Sequence, residues 1–177
     1  MKTLRALYPI GLLLGVMLLI HPAGWAQSKP ETKGPVITNS YAEDAGPYGK
    51  VWKIYIEAGD ANADMNYVAV VVDQPGVGRY PTDYIQLDPQ HRNHLKGFLQ
   101  WNTFSSRATV LKEGTQITVR VFIIDQAGNE SNKVVFPFTF VSGVKGQNGL
   151  PGFIDDVDNP RLGFISIQLL GQDSGSY

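Results

Sequence analysis

The sequence predicts an all-β fold of two antiparallel sheets packed face to face. Three observations carry this. Short runs rich in Val, Ile, Tyr, Phe and Thr recur along the chain, and the breaks between them hold Gly, Pro, Asn and Asp. Several of these runs alternate with period two, so one face can enter a core while the other meets water. Beyond the first 26 residues no window carries a convincing helical stripe. The stretch from Val119 to Asn132 is the clearest case. Its β-branched run stops at Asp125, turns through Ala127-Gly128-Asn129 and leads into a second apolar run.

Taken in order, the chain begins with Lys2 and Arg5, followed by an apolar run from Leu7 to Ile20. Gly24 and Ala26 supply the small residues of a cleavage site, so residues 1–26 read as a secretory signal peptide cut after Ala26. Pro9 and His21-Pro22 interrupt the run before it reaches the roughly 20 apolar residues of a membrane anchor. No span is expected after cleavage. Residues 27–35 are polar, with Pro30 and Gly34, and read as a linker.

Candidate strands follow at Val36–Tyr41, Val51–Glu57, Tyr67–Asp73, Asp83–Leu87, Phe98–Phe104, Gln116–Asp125 and Lys133–Val141. In the second, Trp52, Ile54 and Ile56 alternate with Val51, Lys53, Tyr55 and Glu57. The third contains Val68-Ala69-Val70-Val71-Val72, apolar on both faces. In the sixth, Ile117, Val119, Val121 and Ile123 alternate with Thr118, Arg120 and Phe122. Pro89–Lys96 and Arg107–Glu113 each have room for one helical turn. About seven short strands with frequent turns over residues 36–141 predict an immunoglobulin-like β-sandwich. Residues 142–162 turn Gly- and Asp-rich and read as a second linker. Residues 163–177 hold one more strand, Gly163–Leu170, and a soft tail. That strand is expected to pack back on the sandwich, with edge pairing to another molecule through Phe164–Leu170 as the alternative.

The chain has no cysteine, so neither a lipoprotein anchor nor a disulfide is available, and the exported domain must be held by its core. Loss of Lys2 and Arg5 takes the formal charge from −1 to −3. No basic surplus favours nucleic acid or anionic lipid.

Two local patterns resemble those of bacterial immunoglobulin-like and cadherin-like modules. Ile56-Glu57-Ala58-Gly59-Asp60-Ala61-Asn62-Ala63-Asp64-Met65 resembles their acidic strand-and-turn, and Asp125-Gln126-Ala127-Gly128-Asn129-Glu130-Ser131 resembles the turn before their last strand. The resemblance spans about Val36–Val141 and implies the sandwich fold in an exported protein. Asn62 and Ala63 stand where such modules carry an acidic residue and a Gly, which weakens any inherited metal site.

In this topology the B–C and F–G loops share one end. Asp60, Asn62 and Asp64 should then lie near Asp125, Asn129 and Glu130. Carboxylates and amide carbonyls are calcium ligands. Asp and Asn also stabilise turns through bonds to nearby backbone N–H groups, and that reading is expected to dominate. Val71 stands at the twelfth position after Asp60, where an EF-hand needs a carboxylate. His91, His94 and Asp88 read as a solvated loop, since a zinc site needs three or four ligands. Thr103, Ser105 and Ser106 carry hydroxyls without a nucleophile elbow, and Glu57 with Asp73 is the one carboxylate pair to weigh. Trp52 and Trp101 are expected in the core. Arg79, Tyr80 and Tyr84, in the connection from Gln74 to Leu87, are the candidates for an exposed binding surface.

The expected function is that of a non-catalytic interaction or structural module, periplasmic, cell-surface or secreted, without a cofactor, whose partner is a protein or a cell-surface polymer. The alternatives are a calcium-dependent carbohydrate-binding module and a small secreted hydrolase.

Overall fold

The structure is a computed structural model and describes residues 33–108, 111–143 and 159–171. The expected signal peptide, most of both expected linkers and the last residues of the tail lie outside the described residues. Ten strands occur within them: β1 (Val36–Ala42), β2 (Ala45–Gly46), β3 (Val51–Gly59), β4 (Met65–Gln74), β5 (Gly78–Arg79), β6 (Asp83–Gln86), β7 (His94–Asn102), β8 (Gln116–Asp125), β9 (Val134–Phe140) and β10 (Arg161–Ile165). One sheet has the order β1-β3-β7-β10. The other has the order β2-β9-β8-β4-β5, with β6 also paired to β4.

This is the immunoglobulin-like sandwich the sequence predicts. β3, β4, β8 and β9 take the places of strands B, C, F and G, with β1 and β7 as A and E. The departure is at the fourth place of the first sheet. A hairpin-connected strand D would stand there, antiparallel to E. Here β10, from the C-terminal end of the chain, fills it and runs parallel to β7.

Alternation drives the packing. Trp52, Ile54, Ile56 and Ala58 of β3 and Leu95, Leu99 and Trp101 of β7 face Val68, Val70 and Val72 of β4, Ile117, Val119, Val121 and Ile123 of β8, and Phe136, Phe138 and Phe140 of β9 across one core. Trp52 and Trp101 are fully enclosed, as expected, with ring centroids 6.2 Å apart, and Phe138 lies 4.5 Å from Trp52. Each buried indole finds a backbone acceptor: Trp52 Nε1 donates to the Glu43 carbonyl at 3.0 Å and Trp101 Nε1 to the Ile167 carbonyl at 2.9 Å. Neither N–H is therefore left to cost the roughly 1–3 kcal/mol of an unmade buried hydrogen bond.

Three expectations shift. β7 begins at His94 rather than Phe98, because Leu95 pairs with Ala58 and fills the core while His94 and Lys96 point outward. Only Pro89–His91 of the Pro89–Lys96 stretch forms a helical turn, a short 3-10 one. In Arg107–Glu113 no helix occurs among the described residues; Ser105 and Ala108 bridge instead. The connection after β4 opens as a tight hairpin into β5, closed by Val77 N donating to the Gln74 carbonyl at 3.0 Å.

Candidate functional site

The two turns named by the sequence do meet. Met65 and Asp125 are ladder partners, and Gln126 N donates to the Asp64 carbonyl at 3.0 Å. Asp60, Asp64 and Asp125 come together there, at one end of the sandwich. Asp60 is buried and accepts the backbone N–H of Asn62 at 3.2 Å and of Asp64 at 3.1 Å. Asp125 is buried and accepts Asn129 N at 2.7 Å and Asn129 Nδ2 at 2.8 Å. Both carboxylates thus close their own turns.

Asp64 carries the electrostatic cost. A hydrogen bond to the Asp60 carboxyl, then burial, then the charges of Asp125 and Asp60 push its pKa up to about 6. Two carboxyls that share a hydrogen bond must share a proton. The other nominated ligands turn away: Asn62 Nδ2 donates to the Lys33 carbonyl at 3.1 Å, and Glu130 pairs with Lys133 at 3.0 Å. Among the described residues no group of three or more His, Asp or Glu side chains is arranged to hold a metal ion.

Arg79, Tyr80 and Tyr84 do not form one surface. Arg79 is exposed and bonds Asp73 at 3.0 Å; Arg120 holds the other oxygen of the same carboxylate. Burial pushes the Asp73 carboxyl up, but the hydrogen bonds and charges of the two arginines outweigh it and leave it below the usual range. Tyr80 points inward. Its hydroxyl donates to Gln74 Oε1 and accepts Leu170 N at 2.8 Å. Tyr84 is open, at 58% exposure.

Tyr84 belongs to a face that the sequence reading passed over. Where strict alternation would place polar residues on the outer surface of the second sheet, the outward positions include Tyr67, Ala69 and Val71 on β4, Tyr84 on β6, Phe122 and Ile124 on β8, and Val135 on β9, beside the polar Thr118 and Arg120 of β8. Tyr84, Ala69 and Phe122 stand side by side across three strands. Tyr84 meets Tyr67 edge-on at 6.4 Å, Lys133 Nζ lies 4.8 Å above the Phe122 ring, and Val135 is 54% exposed. Arg120 stands between Val71 and Val135 and reaches Asp73, which with Arg79 lies at one end of the patch, while Lys133 with Glu130 lies at the other. The unbroken apolar run Val68–Val72 was the available signal, since it gives β4 an apolar outer side.

Of the hydroxyls offered as nucleophiles, Ser106 is exposed and the other two are structural. Ser105 is buried and donates to the Leu169 carbonyl at 2.6 Å, and Thr103 donates to the Lys50 carbonyl at 2.8 Å. Glu57 and Asp73 lie on the outer faces of opposite sheets, so they are no carboxylate pair; Glu57 contacts His94 at 3.4 Å and Lys96 at 3.9 Å instead.

The larger surprise is the seat of the C-terminal segment. After β10 the chain stays extended through Leu170, and Ile165, Ile167 and Leu169 enter the core in alternation. Its backbone is held by side chains of the body. Trp101 and Ser105 donate to the Ile167 and Leu169 carbonyls, Gln74 Nε2 donates to the Leu170 carbonyl at 3.0 Å, and Ser166 N donates to Asp83 at 2.6 Å. A groove of about 290 Å³ remains between Tyr80–Asp83 and Ser166–Gln168, with Arg107 at its rim.

No protein-family model matches the chain, and no curated protein matches it. Among solved structures it is similar to the PKD domain of an M14-like peptidase from a Thermoplasmatales archaeon, at 15% identity and a TM-score of 0.42, over 63% of this chain and 99% of that one. It is also similar to the CARDB domain of the PF1109 protein from Pyrococcus furiosus, a structure in complex with di-metal ions, at 10% identity and a TM-score of 0.35, over 63% of this chain and 96% of that one.

Proposed function

We propose that this chain is an exported, non-catalytic module that binds a protein partner through the outer face of its second sheet. The observation that carries this reading is the apolar patch on that face. An antiparallel sheet facing water on one side normally alternates apolar and polar residues. Here most outward positions of the central strands, Tyr67, Ala69, Val71, Phe122 and Ile124, are aromatic or aliphatic, and charges of both signs stand beside them. An apolar centre with a polar rim is the anatomy of a protein–protein interface. A sugar-binding platform would instead need several open aromatic rings beside hydrogen-bonding side chains, and Phe122 is covered by Lys133.

Export rests on residues 1–26, whose charged flank, short apolar run and small cleavage residues fit a secretory signal peptide. No helix among the described residues is long and apolar enough to cross a membrane. The non-catalytic reading is supported by Thr103, Ser105, Asp60, Asp73 and Asp125, each of which is bonded within the fold.

The test is a double variant of the mature chain, Tyr84→Glu with Val135→Glu. Both side chains are more than half exposed, so the fold should keep its melting temperature. A partner captured by photocrosslinking at the patch and then purified should bind the variant at least tenfold more weakly, a loss of about 1.4 kcal/mol or more. Equal binding by both forms would place the interface elsewhere. Binding of a glycan that requires calcium would favour the carbohydrate-binding reading.

A further inference from the structure

The segment from Asn159 to Leu170 is bound to the sandwich as a peptide is bound to a receptor. Its contacts are of three kinds. Parallel pairing joins β10 to β7, with Phe98 N donating to the Pro160 carbonyl at 3.0 Å. Ile165, Ile167 and Leu169 occupy successive seats in the core. Buried side chains of the body then read the segment's backbone: Trp101, Ser105, Gln74 and Tyr80 all bond to it, and each is under a tenth exposed. Backbone hydrogen bonds for affinity and alternate side chains in pockets for selectivity are the two parts of strand-addition recognition.

Two glycines make the close approach. A Cβ on Gly97 would lie 2.2 Å from the Pro160 carbonyl oxygen, and one on Gly163 would lie 2.3 Å from Ile85 Cγ2. The seat is therefore shaped for this segment, on both the receiving and the donated side.

Residues 144–158 join the segment to the rest of the chain. Every contact made by the segment in its own sandwich would be made identically in the sandwich of a second copy. Only the local concentration differs, and tethering by a linker of this length sets that at roughly millimolar. We propose that the cleft formed by β7, β6 and the Ser105 turn accepts the Asn159–Leu170 segment of a second copy of this chain, so that two copies exchange tails in a closed, symmetric dimer. The dimer is a minor species at micromolar concentration. It becomes the main one when the linker is too short to let the segment reach its own cleft. β9 ends in the second sheet with β8 and β4 between it and the edge where β10 sits. Crossing about three strand spacings and one inter-sheet gap takes on the order of 20 Å or more, beyond the roughly 18 Å that five fully extended residues reach. This assembly uses the tail cleft and not the outer face, so its failure would leave the reading above intact.

The test exploits the absence of cysteine. Gln100 and Phe164 are ladder partners on the outer face of the first sheet, and Phe164 is 53% exposed. Mature chains carrying Gln100→Cys and Phe164→Cys singly are made in two forms, one with the full linker and one lacking ten of residues 144–158. The two variants are mixed in denaturant, refolded together and oxidised. Exchange predicts a covalent heterodimer in at least tenfold excess over either homodimer, at near-millimolar protein for the full linker and already at micromolar protein for the shortened one. The double variant in one full-length chain should close within the chain at micromolar concentration. A heterodimer no more abundant than the homodimers with both linkers would overturn the proposal. So would a double variant that fails to close, because the cleft would then not hold the segment even in its own chain.

Discussion

Asp64 and its neighbour Ala63 show how a single turn can carry both strain and a pH response. Ala63 has a φ of 57°, in the left-handed region that favours glycine. Side chains there cost about 1 kcal/mol or more. Ala63→Gly should stabilise the domain by about 0.5–1 kcal/mol, after subtracting the greater freedom of Gly in the unfolded chain. Chemical denaturation would read this as a higher midpoint at unchanged slope. For Asp64 the folded pKa, about 6, lies above that of the unfolded chain, so the folded state holds the extra proton. Its contribution to stability is complete below the unfolded value, near 4, and is lost as pH rises through 6. Asp64→Asn replaces the shared proton with an amide N–H at every pH. The variant should melt higher than the natural chain at pH 7.5 and no higher at pH 4. Millimolar calcium at pH 7.5 should leave the melting temperature of the natural chain unchanged, because Asp60 and Asp125 already spend both oxygens on their turns. A rise that disappears in Asp64→Asn would instead mark a cation displacing that proton.

At the scale of the element, the strands legible in the sequence are those whose alternation is strong. Gln116–Asp125 matches β8 residue for residue, and Val51–Glu57 lies within β3. β7 was read late because His94, Lys96 and Gly97 dilute its pattern, leaving Leu95 as a lone apolar position ahead of Phe98. β10 was legible as a strand, but its parallel pairing and its place beside β7 were not. That place rests on two glycines whose importance shows only when their neighbours are known. Gly163→Ala should destabilise the domain by about 1–3 kcal/mol through the contact with Ile85, although alanine suits a strand at least as well as glycine. Thermal melts of residues 27–177 would measure it. Gly97→Ala should cost at least as much, since the obstructing atom is a backbone oxygen that cannot turn aside.

For the whole molecule, the C-terminal segment completes a core that the first hundred residues of the sandwich leave open along one side. Ile165, Ile167 and Leu169 each contribute roughly 1.5–3 kcal/mol of burial before the entropy of ordering the segment is subtracted. Truncation after Gly143 should therefore lower the melting temperature by several degrees at least. It should also shift tryptophan emission to the red, because Trp101 loses both its cover and the acceptor for its N–H. Unchanged emission on truncation would mean that the segment contributes little to the core.

The sequence alone determined the all-β class, the order of the principal strands, the burial of Trp52 and Trp101 and the meeting of the Asp60 and Asp125 turns. All of these follow from local pattern: period-two alternation, turn residues at strand ends, and a topology that brings the B–C and F–G loops together. Only the tertiary structure decided which strand fills the fourth place of the first sheet, that Tyr80 bonds the tail rather than facing solvent, and that the outer face of the second sheet carries an apolar patch. Each of these depends on what stands opposite a residue across a sheet or a core. Sequence periodicity says that a side chain has an inside and an outside, but not which distant segment it meets there.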